Sequence, residues 1–521
     1  MQPSTIAQPS NNIGLCSKCR ARVPSEFFFR DGQVWIRKAC PTCGPNEALV
    51  SADAAVWQAK RDLWQYVPKD RTSCSLNCDQ CHTNHKPNIV FVDVTNRCNM
   101  NCPICIATIR DMGFDFHPPL AYFEKIFETL GRMEPQPVVQ LFGGEPTLRD
   151  DLLEIIALAK KHGLKPHVVT NGVKLADEEY CKKLCDARVP LRFAFDGRSA
   201  DIYERLRQNR GAYEKKMKAL ANLKKFSRRK HAIIACAAWG INDQHIGDLV
   251  QFVHENRDLI SDLGIIPLTE NWKPGEFDAA KTTTMEDVEK MVQQAVPDVE
   301  FIPSGLAYAM RKPRSFFRKS PRSEVLLLAG VHPNCESMTL LVSDGTRYRG
   351  INYYLAKPLS QVAVDLAARS KAIEPRLDRL DPKKFFQRQR GRLLLLATFM
   401  PYLLRTIRWS RLADGKPVRG FFKFVFGQLF RRQVAEGLAS GRRPRRLLRV
   451  GMLPFEEQHS VDAARMESCK AVFAYEDVED GKVKTVPACL WYPYRNPILA
   501  KLSKKYGIAG KTARVEAAAT A

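Results

Sequence analysis

Long hydrophobic runs are missing from this chain. The apolar stretch Leu393–Leu404 is only twelve residues long, short of the ~20 that a bilayer-spanning helix needs. No apolar segment near the start resembles a secretory signal. With sixteen cysteines and no such signal, a disulfide scaffold is excluded as the design; the thiols suit a reducing cytoplasm and metal binding. Acidic residues are also in short supply: 56 Asp and Glu stand against 81 Lys and Arg, for a formal charge of +25. That deficit is local. Residues 371–450 hold 21 Lys/Arg and only 5 Asp/Glu, so one block could face an acidic partner, nucleic acid or an anionic membrane. At 521 residues the chain has room for several domains and a large core.

The cysteines that remain to be explained are grouped. Cys98, Cys102 and Cys105 form C-x3-C-x2-C directly after Ile89–Thr95, an apolar run that reads as a buried parallel strand. Three thiolates are one fewer than a 4Fe–4S cluster normally takes, so a cluster on this loop would keep one iron for a substrate. A second apolar run, Val138–Phe142, ends in Gly143-Gly144-Glu145-Pro146, where glycines let the backbone approach a ligand. Upstream, Cys16, Cys19, Cys40 and Cys43 make two C-x2-C knuckles around a hairpin expected at Asp31-Gly32. Four such thiolates suit tetrahedral zinc or mononuclear iron. Cys74, Cys78 and Cys81 repeat the three-cysteine spacing among polar residues, with His82 a weak candidate for a fourth ligand. Cys335, Cys469 and Cys489 stand singly near strand-like runs, and a further cluster site and plain structural burial both remain open for them. Cys181, Cys185 and Cys236 read as buried structural thiols.

From Ile89 to Trp272 apolar strands alternate with amphipathic helical stretches. The six strands are Ile89–Thr95, Val138–Phe142, Pro166–Thr170, Leu191–Phe195, Ala232–Ala238 and Gly264–Leu268. Six βα units fall two short of a full barrel. The expected fold is therefore α/β: a partial (β/α)6 TIM-like barrel, with a small N-terminal metal-knuckle domain and a mixed α+β C-terminal extension. Domains are expected at 1–60 (four-cysteine knuckles), 61–88 (auxiliary loop), 89–275 (barrel), 276–370 (α/β extension), 371–455 (basic helices), 456–505 (cysteine-containing β region) and 506–521 (tail). Ligands in such barrels lie at the C-terminal strand ends, where Thr170, Asn171, Asp196 and Asn242 fall; turn chemistry is an equal reading of these four.

The loop Cys98–Cys105 followed by Gly143–Pro146 resembles the radical S-adenosylmethionine (SAM) enzymes. That resemblance implies a catalytic 4Fe–4S cluster on Cys98, Cys102 and Cys105, and SAM oriented by Gly143, Gly144, Glu145 and Pro146. It also implies an external electron donor such as ferredoxin or flavodoxin. Ile104 stands where many members carry an aromatic beside adenine. The order of knuckles, auxiliary loop, core and late cysteines is similar to the tetraether lipid synthase-like branch, which joins the ends of membrane lipid tails. What this implies is hydrogen abstraction from a lipid tail, carbon–carbon bond formation and auxiliary 4Fe–4S clusters. Peptide-maturing and methylating radical SAM enzymes are the rival activities; a non-catalytic metal-binding scaffold on membrane or nucleic acid is the rival class. In the basic block, Leu393–Leu404 and Phe421–Phe426 are apolar patches framed by arginines, a pattern suited to helices lying in a membrane interface. Membrane lipid is thus the expected partner in preference to nucleic acid, and peripheral contact with the inner membrane face the expected location.

Overall fold

The structure is a computed structural model; it describes residues 12–63, 74–78, 87–272, 275–317, 330–412, 447–455 and 459–508. Cys81, His82 and the Phe421–Phe426 patch lie outside the described residues.

The N-terminal unit is an antiparallel sheet of β1 (Ile13–Leu15), β2 (Arg22–Arg30), β3 (Gln33–Cys40) and β4 (Gly44–Ser51), paired in that order. The β2–β3 hairpin turns at Asp31 and Gly32, both with positive φ, the backbone that an Asp-Gly hairpin turn requires. Alternation along β3 buries Val34 and Ile36, which pack with Phe27 and with Trp57 of the following helix, Ala54–Asp62. This core is small, so the ribbon leans on the rest of the molecule. Lys60 carries one such contact. Its ammonium group lies 2.8 Å from Glu286 and 2.7 Å from Glu289 of helix Met285–Ala295, and all three side chains are at most 5% exposed.

The main sheet begins with β5 (Ile89–Thr95), β6 (Val138–Gly143), β7 (Lys165–Thr170), β8 (Leu191–Ala194), β9 (His231–Ala237) and β10 (Ile260–Pro267), each parallel to the next. Helices Leu120–Gly131, Leu152–Lys161, Glu178–Asp186, Ala212–Phe226 and Ile246–Glu255 connect them. Alternate residues such as Val90, Val92 and Val94 are fully buried in one continuous core. The six strands read from periodicity are all present, within a few residues at their ends.

The C-terminal extension does more than follow this core: it lengthens the same sheet. After β11 (Ile302–Pro303), β12 (Ser337–Ser343) and β13 (Tyr348–Gly350) come β14 (Leu447–Met452), β15 (Ala471–Glu476) and β16 (Val483–Pro487). Strand β14 adds parallel to β10 at one edge, and β15 adds parallel to β5 at the other. Among the described residues the sheet therefore has twelve strands in the order β11, β12, β14, β10, β9, β8, β7, β6, β5, β15, β16, with β13 beside β12. The chain between β14 and β15 thus crosses from one barrel edge to the other, and Phe455 of this crossing packs on Phe91 and Phe142. The edges that six strands would leave unpaired are covered.

Replacing Lys60 leaves two buried carboxylates facing each other, and breaking a buried pair in this way costs about 3–5 kcal/mol. Lys60→Met should accordingly speed hydrogen–deuterium exchange across Ala54–Asp62 while β5 keeps its protection; unchanged exchange in that helix would contradict the assignment.

Candidate active site and metal centres

Strand β5 ends at Thr95, and the loop that follows is tied down before it reaches its first cysteine. Asn96 donates to the Phe114 carbonyl at 2.6 Å and accepts from the Phe116 amide at 2.8 Å. Gly143 and Gly144 then fix the loop against β6. A Cβ on Gly143 would come within 2.3 Å of the Thr95 carbonyl oxygen, and one on Gly144 within 2.1 Å of that of Arg97. Only glycine allows this approach, and the amides of Gly144 and Glu145 donate to those two carbonyls at 2.7 and 2.8 Å.

Glu145 is fully buried and its carboxylate gathers four donors. Oε1 accepts from the Thr147 amide (3.0 Å), the Thr147 hydroxyl (2.6 Å) and the Thr170 hydroxyl (2.7 Å); Oε2 accepts from the Asn171 amide (2.6 Å). The side chain thus joins the ends of β6 and β7, and what Gly143–Pro146 presents to a ligand is its main chain. Asn171 passes the constraint on, donating from Nδ2 to Asn99 at 2.8 Å, with the Cys98 sulfur 3.9 Å away. Cys98, Cys102 and Cys105 are all partly buried. Burial raises the Cys98 thiol above its ordinary value, and the charges of Glu145, Cys105 and Cys102 add to this. Burial also raises Cys102, which Arg207 partly offsets. Such thiols are poor anions by themselves and gain most from cationic iron. Their donor set fits a 4Fe–4S cluster: three cysteine sulfurs, all partly buried, on one short loop.

Asp196 and Asn242, at the ends of β8 and β9, also spend their side chains on protein. Asp196 holds Arg207 through two 2.9 Å bonds and accepts from the Cys236 amide. Burial would raise its carboxyl, but Arg207 keeps it below the ordinary range. Asn242 accepts from the Ala238 amide and donates to the carbonyls of Asp196 and Cys236. Ile104 is buried with Ile202, Leu206, Ala238 and Leu268, against Trp272 and Phe277. Cys236, expected in the core, faces this same apolar group.

Sequence reasoning missed two buried cations here. Lys216 of helix Ala212–Phe226 is 2% exposed; it donates to the Ala194 carbonyl at 2.7 Å and to that of Asn171. Burial lowers its pKa to about 8, against the pull of Asp196. It shares the buried face with Ala212, Ala219, Leu220 and Leu223, and a lysine in that register is the signal that could have found it. Arg495 of the last helix, Ala488–Lys505, is also buried; it reaches Asp93 at 3.4 Å and the Ile106 carbonyl at 3.5 Å, just after Cys105. No local pattern announces it.

Cys16, Cys19, Cys40 and Cys43 bring their sulfurs within 4.8 Å of one another. Burial would raise the Cys16 thiol, but main-chain N–H groups of Cys19 and Lys18 bring it down to about 6. This favours the thiolate that a metal needs. Burial raises the Cys335 thiol; Arg465 opposes this, and the charges of Cys489 and Cys469 add to it. Cys74 and Cys78 lie beside Glu467 and Tyr494, whose side chains accept their amides at 2.9 and 3.4 Å.

A large cavity of about 840 Å³ opens between the ribbon, the C-terminal end of β10 and the crossing segment. Phe27, Trp35 and Trp57 line one side, and Leu268, Trp272 and Phe277 the other. The last three belong to the apolar group around Ile104, which stands between the cavity and the cysteine loop.

Glu145→Ala strands four donors, each worth about 1–3 kcal/mol when left unpaired. It should lower the melting temperature and weaken SAM binding to iron-loaded protein at least about tenfold (~1.4 kcal/mol) in equilibrium dialysis. Wild-type affinity in the variant would show that the brace does not position the site. Cys40→Ser should remove one metal ion per chain by elemental analysis and expose the ribbon amides to exchange, because such sites couple metal binding to folding; full metal content would refute the four-thiol assignment.

Residues 92–253 match the Radical SAM superfamily model, and residues 10–52 match the HMPTM N-terminal zinc ribbon domain. The chain is 30% identical over 295 residues to 7,8-dihydro-6-hydroxymethylpterin dimethyltransferase of Methanocaldococcus jannaschii, covering 54% of this chain and 58% of that protein. It is 29% identical over 165 residues to Fe-coproporphyrin III synthase of Methanosarcina barkeri, covering 32% and 39%. The chain thus spans less than two thirds of the length of each of these relatives. Among solved structures, Streptococcus suis SuiB bound to precursor peptide SuiA aligns over 40% of this chain and 45% of that one, at 18% identity and a TM-score of 0.32. Three thiols on the loop after β5, a glycine turn locked against it and a four-thiol knuckle domain ahead of both have one reading: the chain carries a radical SAM domain behind an N-terminal zinc ribbon.

Proposed function

We propose that this radical SAM protein abstracts hydrogen from an unactivated C–H bond of a membrane-lipid tail, leading to carbon–carbon bond formation. The observation that carries the reading is the 840 Å³ cavity whose residues Leu268, Trp272 and Phe277 share an apolar group with Ile104 of the cysteine loop. It stands towards the upper end of the ~300–1,000 Å³ typical of small-molecule sites, and its walls set aromatic rings such as Trp57 and Trp272 beside charged groups such as Arg61, Glu286 and Arg465, a combination suited to a substrate with an apolar tail and a polar head. Cys98, Cys102 and Cys105 would hold a 4Fe–4S cluster, which when bound would supply the one-electron chemistry for reductive cleavage of SAM. The protein's part is placement. Glu145 and Asn171 fix the loop, Arg207 and Lys216 set positive charge near Cys102, and the apolar group around Ile104 keeps water away. Each abstraction consumes one SAM and one electron from an external low-potential donor such as ferredoxin or flavodoxin. The cysteine order, with Cys335 within reach of the charges of Cys469 and Cys489, supports a further cluster there and the similarity to the tetraether lipid synthase-like branch; Cys74 and Cys78 are proposed as ligands of another.

One observation favours a second reading. The 30% identical relative is a pterin dimethyltransferase by name, so methyl transfer is the rival outcome. Iron-loaded full-length protein, SAM, a strong reductant and extracted lipid should yield 5′-deoxyadenosine and lipid that has lost two hydrogens per new carbon–carbon bond. Lipid or pterin gaining methylene masses would replace coupling with methylation. No 5′-deoxyadenosine from protein shown to contain the cluster would end the radical reading.

A further inference from the structure

Helix Phe385–Thr406, within the basic block, is apolar on two opposite faces. One face is accounted for: Gly391, Leu395, Phe399 and Tyr402 are buried, and Phe316 packs so close that a Cβ on Gly391 would come within 2.3 Å of its ring. At 100° per residue, Phe386, Leu393, Ala397, Met400 and Leu404 form a line on the other side. Phe386 is 81% exposed and Leu393 65%, with Leu404 at 38%. The line runs for about 27 Å at 1.5 Å per residue. A surface helix of a water-soluble protein carries polar residues there.

We infer that this outer face is a docking surface for an anionic lipid bilayer, with the helix lying in the plane of the interface. Charge decides the occupant. Between Asp381 and Arg411 there are eight Lys or Arg residues and a single acidic one, and Lys383, Lys384, Arg390, Arg405 and Arg408 are exposed at the two ends and along the stripe. A second copy would bring the same cations against these, in a chain whose formal charge is +25. Lipid phosphates satisfy the arginines while acyl chains receive Phe386 and Leu393. No described helix is long and apolar enough to cross a membrane, and this one need not. The assignment is independent of the reaction proposed above, since a protein acting on any substrate could dock in this way.

The test is flotation of the full-length protein with phosphatidylcholine vesicles, with and without phosphatidylglycerol. Wild type should bind the anionic vesicles at least about tenfold better than neutral ones and release them at high salt. Phe386→Ser/Leu393→Ser and, separately, Arg390→Glu/Arg405→Glu should each lose about tenfold in binding, with 5′-deoxyadenosine formation in the absence of lipid unchanged. Equal binding by the variants would overturn the surface assignment. So would concentration-dependent dimers abolished by Phe386→Ser/Leu393→Ser, which would make the occupant a second copy. Loss of folding stability in that variant without vesicle binding by wild type would assign the stripe to residues 413–446. Retention by RNA in place of vesicles would assign it to nucleic acid.

Discussion

One carboxylate, sealed from water, sets the geometry at the mouth of the barrel. Glu145 draws two donors from Thr147, one from Thr170 and one from Asn171 to a single point, and so fixes the ends of two strands relative to each other. Asn171 then holds Asn99 in the cysteine loop, and its carbonyl receives Lys216. Lys216 also bonds the end of β8, beside the Asp196–Arg207 pair. Three strand ends and the loop of three thiols are thereby linked by polar contacts that are buried or partly buried. Buried networks of this kind are rigid when every member is satisfied, which suits a loop that must present three sulfurs in a fixed arrangement.

The barrel in turn depends on the chain's far end. Six parallel strands leave two edges and an opening; β14 and β15 occupy the edges, and the connection between them crosses the opening. The last helix adds Arg495 beneath the loop and stacks Trp491 on Phe473. The same crossing carries Ser460, Asp462 and Arg465 into the wall of the large cavity. The ribbon forms another wall and is pinned there by Lys60 and by Lys38, which donates to Ser17 at 2.9 Å and to the His459 carbonyl. Metal knuckles, barrel and C-terminal crossing therefore meet around one space, joined to the cysteine loop through the apolar group of Ile104.

Much of this was legible in the sequence because it is local. Apolar runs marked β5 to β10, Asp31-Gly32 marked a hairpin that forms, and cysteine spacing marked the loop and the ribbon. What was not legible rests on long-range pairing. Leu447–Met452 has an ordinary strand pattern, but nothing in it names β10 as its neighbour. The roles of Thr170, Asp196 and Asn242 were open between ligand and turn because both uses favour the same residues at strand ends; the structure shows each bonded to protein. Arg495 comes into play through a contact with Ile106, 389 positions earlier in the chain, beyond any local pattern.

Three thiolates would have to leave one iron of the cluster for SAM. Electron–nuclear double resonance on the reduced, iron-loaded chain with SAM labelled by 15N at the amino group and 17O at the carboxylate reads this directly. Hyperfine coupling from both labels is predicted. Absence of both, in protein whose cluster and bound SAM are independently quantified, would contradict it.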